Sequence, residues 1–155
     1  MSGIYIHIPF CKKACHYCNF HFSTNQNTKS AFVKAVCKEL SLRKSEFDSE
    51  VIQTIYFGGG TPTVLEVDEF VSILDVIYET YQVSETPEIT LEANPDDLDS
   101  EKIKALSKTK INRLSIGIQS FHSSDLLTMN RAHNADEAKK CLEIATPYFD
   151  NITID

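Results

Sequence analysis

The chain has 155 residues, 42% of them hydrophobic, and a formal net charge of −7. That is enough apolar material for one domain with a core. No apolar run reaches the roughly 20 residues of a membrane span, and an acidic balance without a basic stripe argues against nucleic acid as a partner.

Residues 4–9 read as a first strand, with Ile4, Ile6 and Ile8 on one side and Tyr5 and His7 on the other. A cysteine-rich loop follows. Asn27 and Thr28 open a helix predicted to run to about residue 47, with Val33, Val36, Cys37 and Leu40 at helical spacing, so Cys37 is expected to be buried. Residues 54–57 form the second strand and end in Gly58-Gly59-Gly60-Thr61-Pro62. The next helix spans about 67–81, with Val67, Phe70, Val71, Leu74, Ile77, Tyr78 and Tyr81 as its buried face. The third strand is 88–93, ended by Asn94-Pro95, and a short helix over 100–107 turns Ile103 and Leu106 inward. The fourth strand is 113–118. Two helices follow at 123–129 and 135–146, the second with Ala138, Cys141, Leu142 and Ala145 as its stripe, and residues 151–155 form a fifth strand.

Strands alternating with helices imply parallel βαβ units. Central parallel strands usually read as continuous apolar runs, because helices cover both faces. These strands alternate: Ile89 and Leu91 oppose Thr90 and Glu92, and Leu114, Ile116 and Ile118 oppose Arg113, Ser115, Gly117 and Gln119. The expected fold is α/β, a partial parallel (βα) barrel of about five strands with helices outside and a polar lumen inside. A flat doubly wound sheet fits this alternation less well.

The first loop carries three of the five cysteines, Cys11, Cys15 and Cys18, spaced C-x3-C-x2-C. A mononuclear zinc site normally takes four ligands, so a Cys3His site would need His16 or His21. A cubane is usually held by four cysteines, so three suggest a [4Fe-4S] cluster with one iron left open. The N-terminus has no basic region followed by an apolar run. The expected setting is therefore a reducing cytoplasm, where clustered cysteines are more often metal-binding or catalytic than paired. The same spacing resembles the signature of the radical SAM superfamily. That resemblance implies S-adenosylmethionine chelating the open iron, and one electron splitting its sulfonium to give a 5′-deoxyadenosyl radical.

Further candidates lie at predicted strand ends, where parallel barrels place their chemistry. Gly58-Gly59-Gly60 is neither a dinucleotide fingerprint nor a P-loop; it allows close backbone approach to a ligand or makes a plain turn. Glu92 could accept from ribose hydroxyls or pair with Arg113. Arg131 could be a surface charge, and His7 a hydrogen-bonded residue of the barrel wall.

Taken together, Tyr5-x-His7-Ile8-Pro9-Phe10-Cys11, the Gly58–Pro62 run, Glu92-x-Asn94-Pro95, Arg113-x-Ser115-x-Gly117-x-Gln119-Ser120-Phe121 and Arg131-x-His133 resemble the oxygen-independent coproporphyrinogen III oxidase family. The likeness covers nearly the whole chain. It implies that Cys11, Cys15 and Cys18 bind the cluster and that Tyr5, Tyr17, Gly59, Gly60, Thr61, Glu92, Gln119, Arg131 and Asp155 contact S-adenosylmethionine. Glu92 would meet the ribose, Gly59 and Gly60 the methionyl amino group, and Tyr17 the adenine.

Two departures qualify this likeness. The oxidase branch has a further cysteine two places after the third ligand, where this chain has Phe20. That resembles the HemW-like haem-chaperone branch. The family's barrel also has a sixth strand and a C-terminal domain, so residues 1–155 are expected to be the N-terminal part of a longer barrel. The expected function is a haem chaperone holding a [4Fe-4S] cluster and S-adenosylmethionine, with haem or a porphyrinogen and an electron donor as partners. The alternatives are the oxidase itself, which converts propionate side chains to vinyl groups, and a zinc module.

Overall fold

Alternating apolar and polar positions build five strands that pair in sequence order, every neighbour parallel. They are β1 (Ser2–Ile8), β2 (Ile52–Gly59), β3 (Val83–Ala93), β4 (Arg113–Ile116) and β5 (Ile152–Ile154). The structure is a computed structural model and describes residues 2–47 and 50–155. The helices between the strands are α1 (Lys29–Leu42), α2 (Val67–Thr80), α3 (Ser100–Leu106), α4 (Ser123–Thr128) and α5 (Ala135–Ala145). The order β1-β2-β3-β4-β5 has no reversal, so the flat doubly wound alternative falls. The sheet is an open, partial α/β barrel.

The alternation decides which face is which. Ile6, Ile8, Ile55, Phe57, Ile89, Leu91, Leu114 and Ile116 join one buried cluster with Phe70, Ile73, Leu74 and Ile77 of α2, Ile103 and Leu106 of α3, and Ala138, Cys141 and Ala145 of α5. The opposite face is built in layers fixed by register. Tyr5 lies beside Tyr56, Tyr56 beside Thr90 and Thr90 beside Arg113; nearer the strand ends, His7 lies beside Gly58 and Glu92 beside Ser115. Because side chains alternate across a strand, every second residue of five neighbouring strands is delivered to the same polar surface.

Several details differ from the sequence expectation: β3 begins at Val83 rather than 88, and β4 ends at Ile116 rather than 118. The first helix stops at Leu42 and a 3₁₀ turn, Lys44–Phe47, follows. Arg43 forks between Glu39 (2.9 Å) and Glu46 (2.8 Å), and Phe47 folds back edge-on to Tyr81. Val71 is 36% exposed and Ile73 is buried instead. The stripe centred on Phe70, Leu74 and Ile77 takes in Ile73 and leaves Val71 at its margin. Cys37 is only partly buried, with its Sγ 3.9 Å from the Ser72 carbonyl on α2.

α5 begins with a reciprocal cap. Asn134 accepts from the backbone N–H groups of Asp136 and Glu137 (3.0 Å each), and Glu137 accepts from the Asn134 N–H (2.8 Å). Removing a side-chain cap costs about 1 kcal/mol. Asn134→Ala is therefore expected to lower unfolding stability by about that amount, while Asn134→Ser keeps most of it; paired urea titrations read the difference.

Candidate functional site

At the C-terminal ends of the strands lies a cavity of about 380 Å³ lined by Cys11, Cys15, Cys18, Tyr17, Gly59, Gly60, Thr61, Glu92, Gln119, Arg131 and Asp155 among others. Two glycines make room for it. Gly59 has φ +110°, and a Cβ there would fall 2.5 Å from His7 Nδ1. A Cβ on Gly60 would meet the Phe10 carbonyl at 2.7 Å and Cys11 Sγ at 3.1 Å. The tight turn thus brings the β2 end directly beneath the first cysteine. Gly60 N–H donates to the Ile8 carbonyl (2.8 Å) and Thr61 N–H to the Phe10 carbonyl (2.7 Å).

Each cysteine is set by different neighbours. Cys11 is buried; its N–H donates to the Ser23 carbonyl (3.0 Å) and Thr61 Oγ1 donates to its Sγ (3.3 Å). Burial pushes its thiol pKa up, and the Thr61 hydrogen bond opposes that shift. Cys15 Sγ accepts from Arg131 Nη1 (3.5 Å), and Cys18 N–H closes a turn on the Cys15 carbonyl (3.2 Å).

Arg131 is no surface charge. Its Nη2 donates to Asn94 Oδ1 (2.7 Å) and the Gly117 carbonyl (2.6 Å), and its Nη1 also donates to Tyr17 Oη (3.1 Å). It therefore joins the cysteine loop to the ends of β3 and β4. Asn94 in turn donates to Thr61 Oγ1 (3.2 Å).

Glu92 does not pair with Arg113. Its Oε1 accepts from Tyr56 Oη (2.7 Å) and its Oε2 from the Gly59 N–H (3.1 Å). Arg113 instead turns to Thr90 Oγ1 (3.2 Å), Thr153 Oγ1 (3.2 Å) and Glu88 (3.9 Å). The Tyr56 hydroxyl pKa is pushed up to about 12, first by burial and then by its hydrogen bond to Glu92. It stays a donor throughout the neutral range, so the carboxylate is held in one orientation with its remaining acceptor capacity free.

Beyond β4 the chain turns sharply. Gln119 takes φ +68°, and its N–H donates to the Asp155 carbonyl (2.7 Å), while Asp155 N–H donates to the Ile116 carbonyl (3.2 Å). This pins two expected site residues to each other at the strand ends. Tyr5 is the exception. It lies one register layer deeper, stacked on Tyr56 with ring centroids 5.8 Å apart, and does not line the cavity. His7 does belong to the barrel wall: its Nε2 meets the His21 carbonyl (3.2 Å) and its ring packs against Gly59.

The sequence reading missed three contributors. Tyr56 orients Glu92. Lys12, next to Cys11, is paired with the buried Asp97, which also accepts from Thr63 Oγ1 (3.0 Å). Asn130 holds the cysteine loop from the far side by donating to the Ala14 carbonyl (2.7 Å). For Tyr56 a signal existed, since it falls on the polar side of the β2 alternation. The other two contacts join segments far apart in sequence, Lys12 with Asp97 and Ala14 with Asn130, and leave no local pattern.

The donor set fits a cubane better than a single ion. Neither His16 nor His21 lines the cavity, and His16 Nδ1 is bonded to the Thr128 carbonyl (2.9 Å). Among the described residues, no three His, Cys, Asp or Glu side chains are grouped as a single metal ion requires.

Residues 5–155 match the family model described as the radical SAM superfamily. The chain belongs to that superfamily. This radical SAM chain is 37% identical over 157 residues to the heme chaperone HemW of Lactococcus lactis subsp. lactis (strain IL1403), covering 99% of itself and 40% of the relative. With the heme chaperone HemW of Bacillus subtilis (strain 168) it shares 35% identity over 158 residues, 100% of itself and 42% of that protein. Among solved structures, coproporphyrinogen III oxidase (HemN) from Escherichia coli superposes with a TM-score of 0.90 at 27% identity, covering 99% of this chain and 36% of the oxidase. The cobalamin-dependent S-adenosylmethionine radical enzyme OxsB shares the fold, with a TM-score of 0.64 at 14% identity. The radical SAM chain thus spans about 40% of the length of the curated relatives it matches. None of its described helices is long and apolar enough to cross a membrane.

Proposed function

We propose that this cavity holds a [4Fe-4S] cluster on Cys11, Cys15 and Cys18 and S-adenosylmethionine across the strand ends, and that the protein serves haem metabolism as a HemW-like haem chaperone. The observation carrying the reading is the convergence of all three cysteines, the Gly59-Gly60 turn, Glu92, Arg131 and Asp155 on one cavity. When bound, the cluster supplies one electron to the sulfonium of S-adenosylmethionine. The chain's own residues bind and orient. Glu92, held by Tyr56 and Gly59, offers acceptors to the ribose hydroxyls, and the Gly59-Gly60 turn lets the methionyl end approach the backbone. Tyr17 gives the adenine an aromatic face, and Gln119 and Asp155 close the far wall. Three free thiols in one cavity suit a reducing cytoplasm, where a cellular electron donor would reduce the cluster.

The choice of chaperone rests on Phe20. It lines the cavity yet is 72% exposed, two places after Cys18, and it can neither ligate iron nor pass a proton. An aromatic ring there can stack on a flat macrocycle. The high TM-score with the coproporphyrinogen III oxidase keeps oxidative decarboxylation as the second reading. The test is anaerobic, on the reconstituted full-length protein, with reductant, S-adenosylmethionine and coproporphyrinogen III, beside a spectral titration with haem. Haem binding without vinyl product is expected. Multiple turnovers of propionate to vinyl would replace the chaperone with the oxidase.

A further inference from the structure

We infer that the segment 128–131, running from the last residue of α4 into the connection to α5, is a preformed cradle that sets the position of Cys15, and that Asn130 is its positioning residue. The inference rests on the cluster reading above. Cys15 is flanked by Ala14 and His16, and both neighbours are fastened to this one segment. Asn130 Nδ2 donates to the Ala14 carbonyl (2.7 Å) and His16 N–H donates to the Met129 carbonyl (3.1 Å). The His16 ring donates from Nδ1 to the Thr128 carbonyl (2.9 Å), and Lys13 Nζ reaches the Arg131 carbonyl (3.3 Å). The thiol between them accepts from Arg131 Nη1. Cys11 has no share in this set; it is tied to Ser23 and Thr61 on the opposite side. The spacing between the first two cysteines is therefore imposed by two separate anchors, the loops holding Ser23 and Thr61 on one side and the 128–131 segment on the other.

A plainer role for Asn130 exists, and the structure separates the two. Asn130 follows the last turn of α4 with φ +59°. Its N–H donates to the Leu127 carbonyl (3.0 Å) and the Arg131 N–H to the Leu126 carbonyl (2.9 Å). This is the Schellman ending, in which glycine is the usual residue and carries no left-handed strain. If capping were all, glycine would serve as well or better. Asparagine tolerates the same backbone and adds an amide donor, and here that donor spans 116 residues to the cysteine loop.

The test is Asn130→Gly, which keeps the helix ending and deletes only the donor, with Asn130→Asp as a second variant that sets an acceptor against the Ala14 carbonyl. Two quantities are read: amide hydrogen exchange across residues 14–18 of the metal-free protein, and release of iron to a chelator from the reconstituted protein. In Asn130→Gly both are expected to rise roughly two- to tenfold, the range one hydrogen bond commands, with the melting temperature unchanged or higher. Asn130→Asp is expected to exceed it. Wild-type exchange and wild-type iron release in Asn130→Gly would reduce Asn130 to a helix cap and overturn the inference. If the unaltered protein took up no cluster, the cluster reading would fall, and the exchange measurement would still decide the cradle.

Discussion

Alanine at Cys11, Cys15 or Cys18 is expected to abolish assembly of a [4Fe-4S] cluster, while alanine at Cys37 or Cys141 leaves it intact. The three loop cysteines line one cavity. Cys37 faces the Ser72 carbonyl between α1 and α2, and Cys141 is buried among apolar residues on the inner face of α5, its thiol pKa raised to about 11 by burial. A thiol held neutral in the core is a small hydrophobe, not a ligand. Loss of one of only three thiolates leaves the cubane with two protein bonds, so the effect is all or none. Iron content and the broad absorbance near ~400 nm typical of such clusters read it after anaerobic reconstitution. A loop cysteine that proved dispensable, with Cys37 or Cys141 essential, would move the site elsewhere.

The fold was legible because its signal is periodic. Ile89, Leu91, Leu114 and Ile116 against Thr90, Glu92 and Ser115 place apolar and polar groups on opposite faces, and strand pairing keeps them there. The placement of the cysteine motif and the glycine turn was legible for a similar reason: both are short stretches directly after strands, and the strand ends bring them to one cavity. Partnerships were not. Glu92 was visible as an inward carboxylate, but whether it met Arg113 or Tyr56 depended on the lateral register of β2, β3 and β4. Arg113 pairs with Thr90 in register, a layer below Glu92, and so reaches Glu88 and Thr153 instead.

Arg131 teaches the same lesson more sharply. In sequence it is a lone charge after Met129-Asn130; in space it lies beneath the cysteine loop, bonded to Asn94, Gly117 and Tyr17. The Arg131-x-His133 motif marks the residue as a site candidate by resemblance, but nothing local names its partners, which come from three other segments. The end of the first helix was lost to a comparable competition. Residues 44–47 have a helical pattern, but the Arg43 fork and the Phe47–Tyr81 contact favour a tighter turn.

Glu92→Ala is expected to weaken binding of S-adenosylmethionine by roughly 5- to 150-fold, corresponding to about 1–3 kcal/mol for a lost acceptor with charge. Both carboxylate oxygens of Glu92 already accept one hydrogen bond, from Tyr56 and from the Gly59 N–H. Those bonds fix the group and leave its other lone pairs for a ligand. Glu92→Gln should therefore fail as well, because a side-chain amide offers one acceptor oxygen and would turn its NH₂ towards one of the two donors. Tyr56→Phe removes only the orienting bond. Its effect should be the smaller, and in the same direction, since Glu92 keeps its charge and its bond to Gly59. Calorimetry on the reconstituted protein orders the three variants. An affinity for S-adenosylmethionine unchanged in Glu92→Ala would reject the ribose role. Equal losses in Tyr56→Phe and Glu92→Ala would instead place the binding contribution in the orientation of the carboxylate, because only Glu92→Ala removes the acceptor itself.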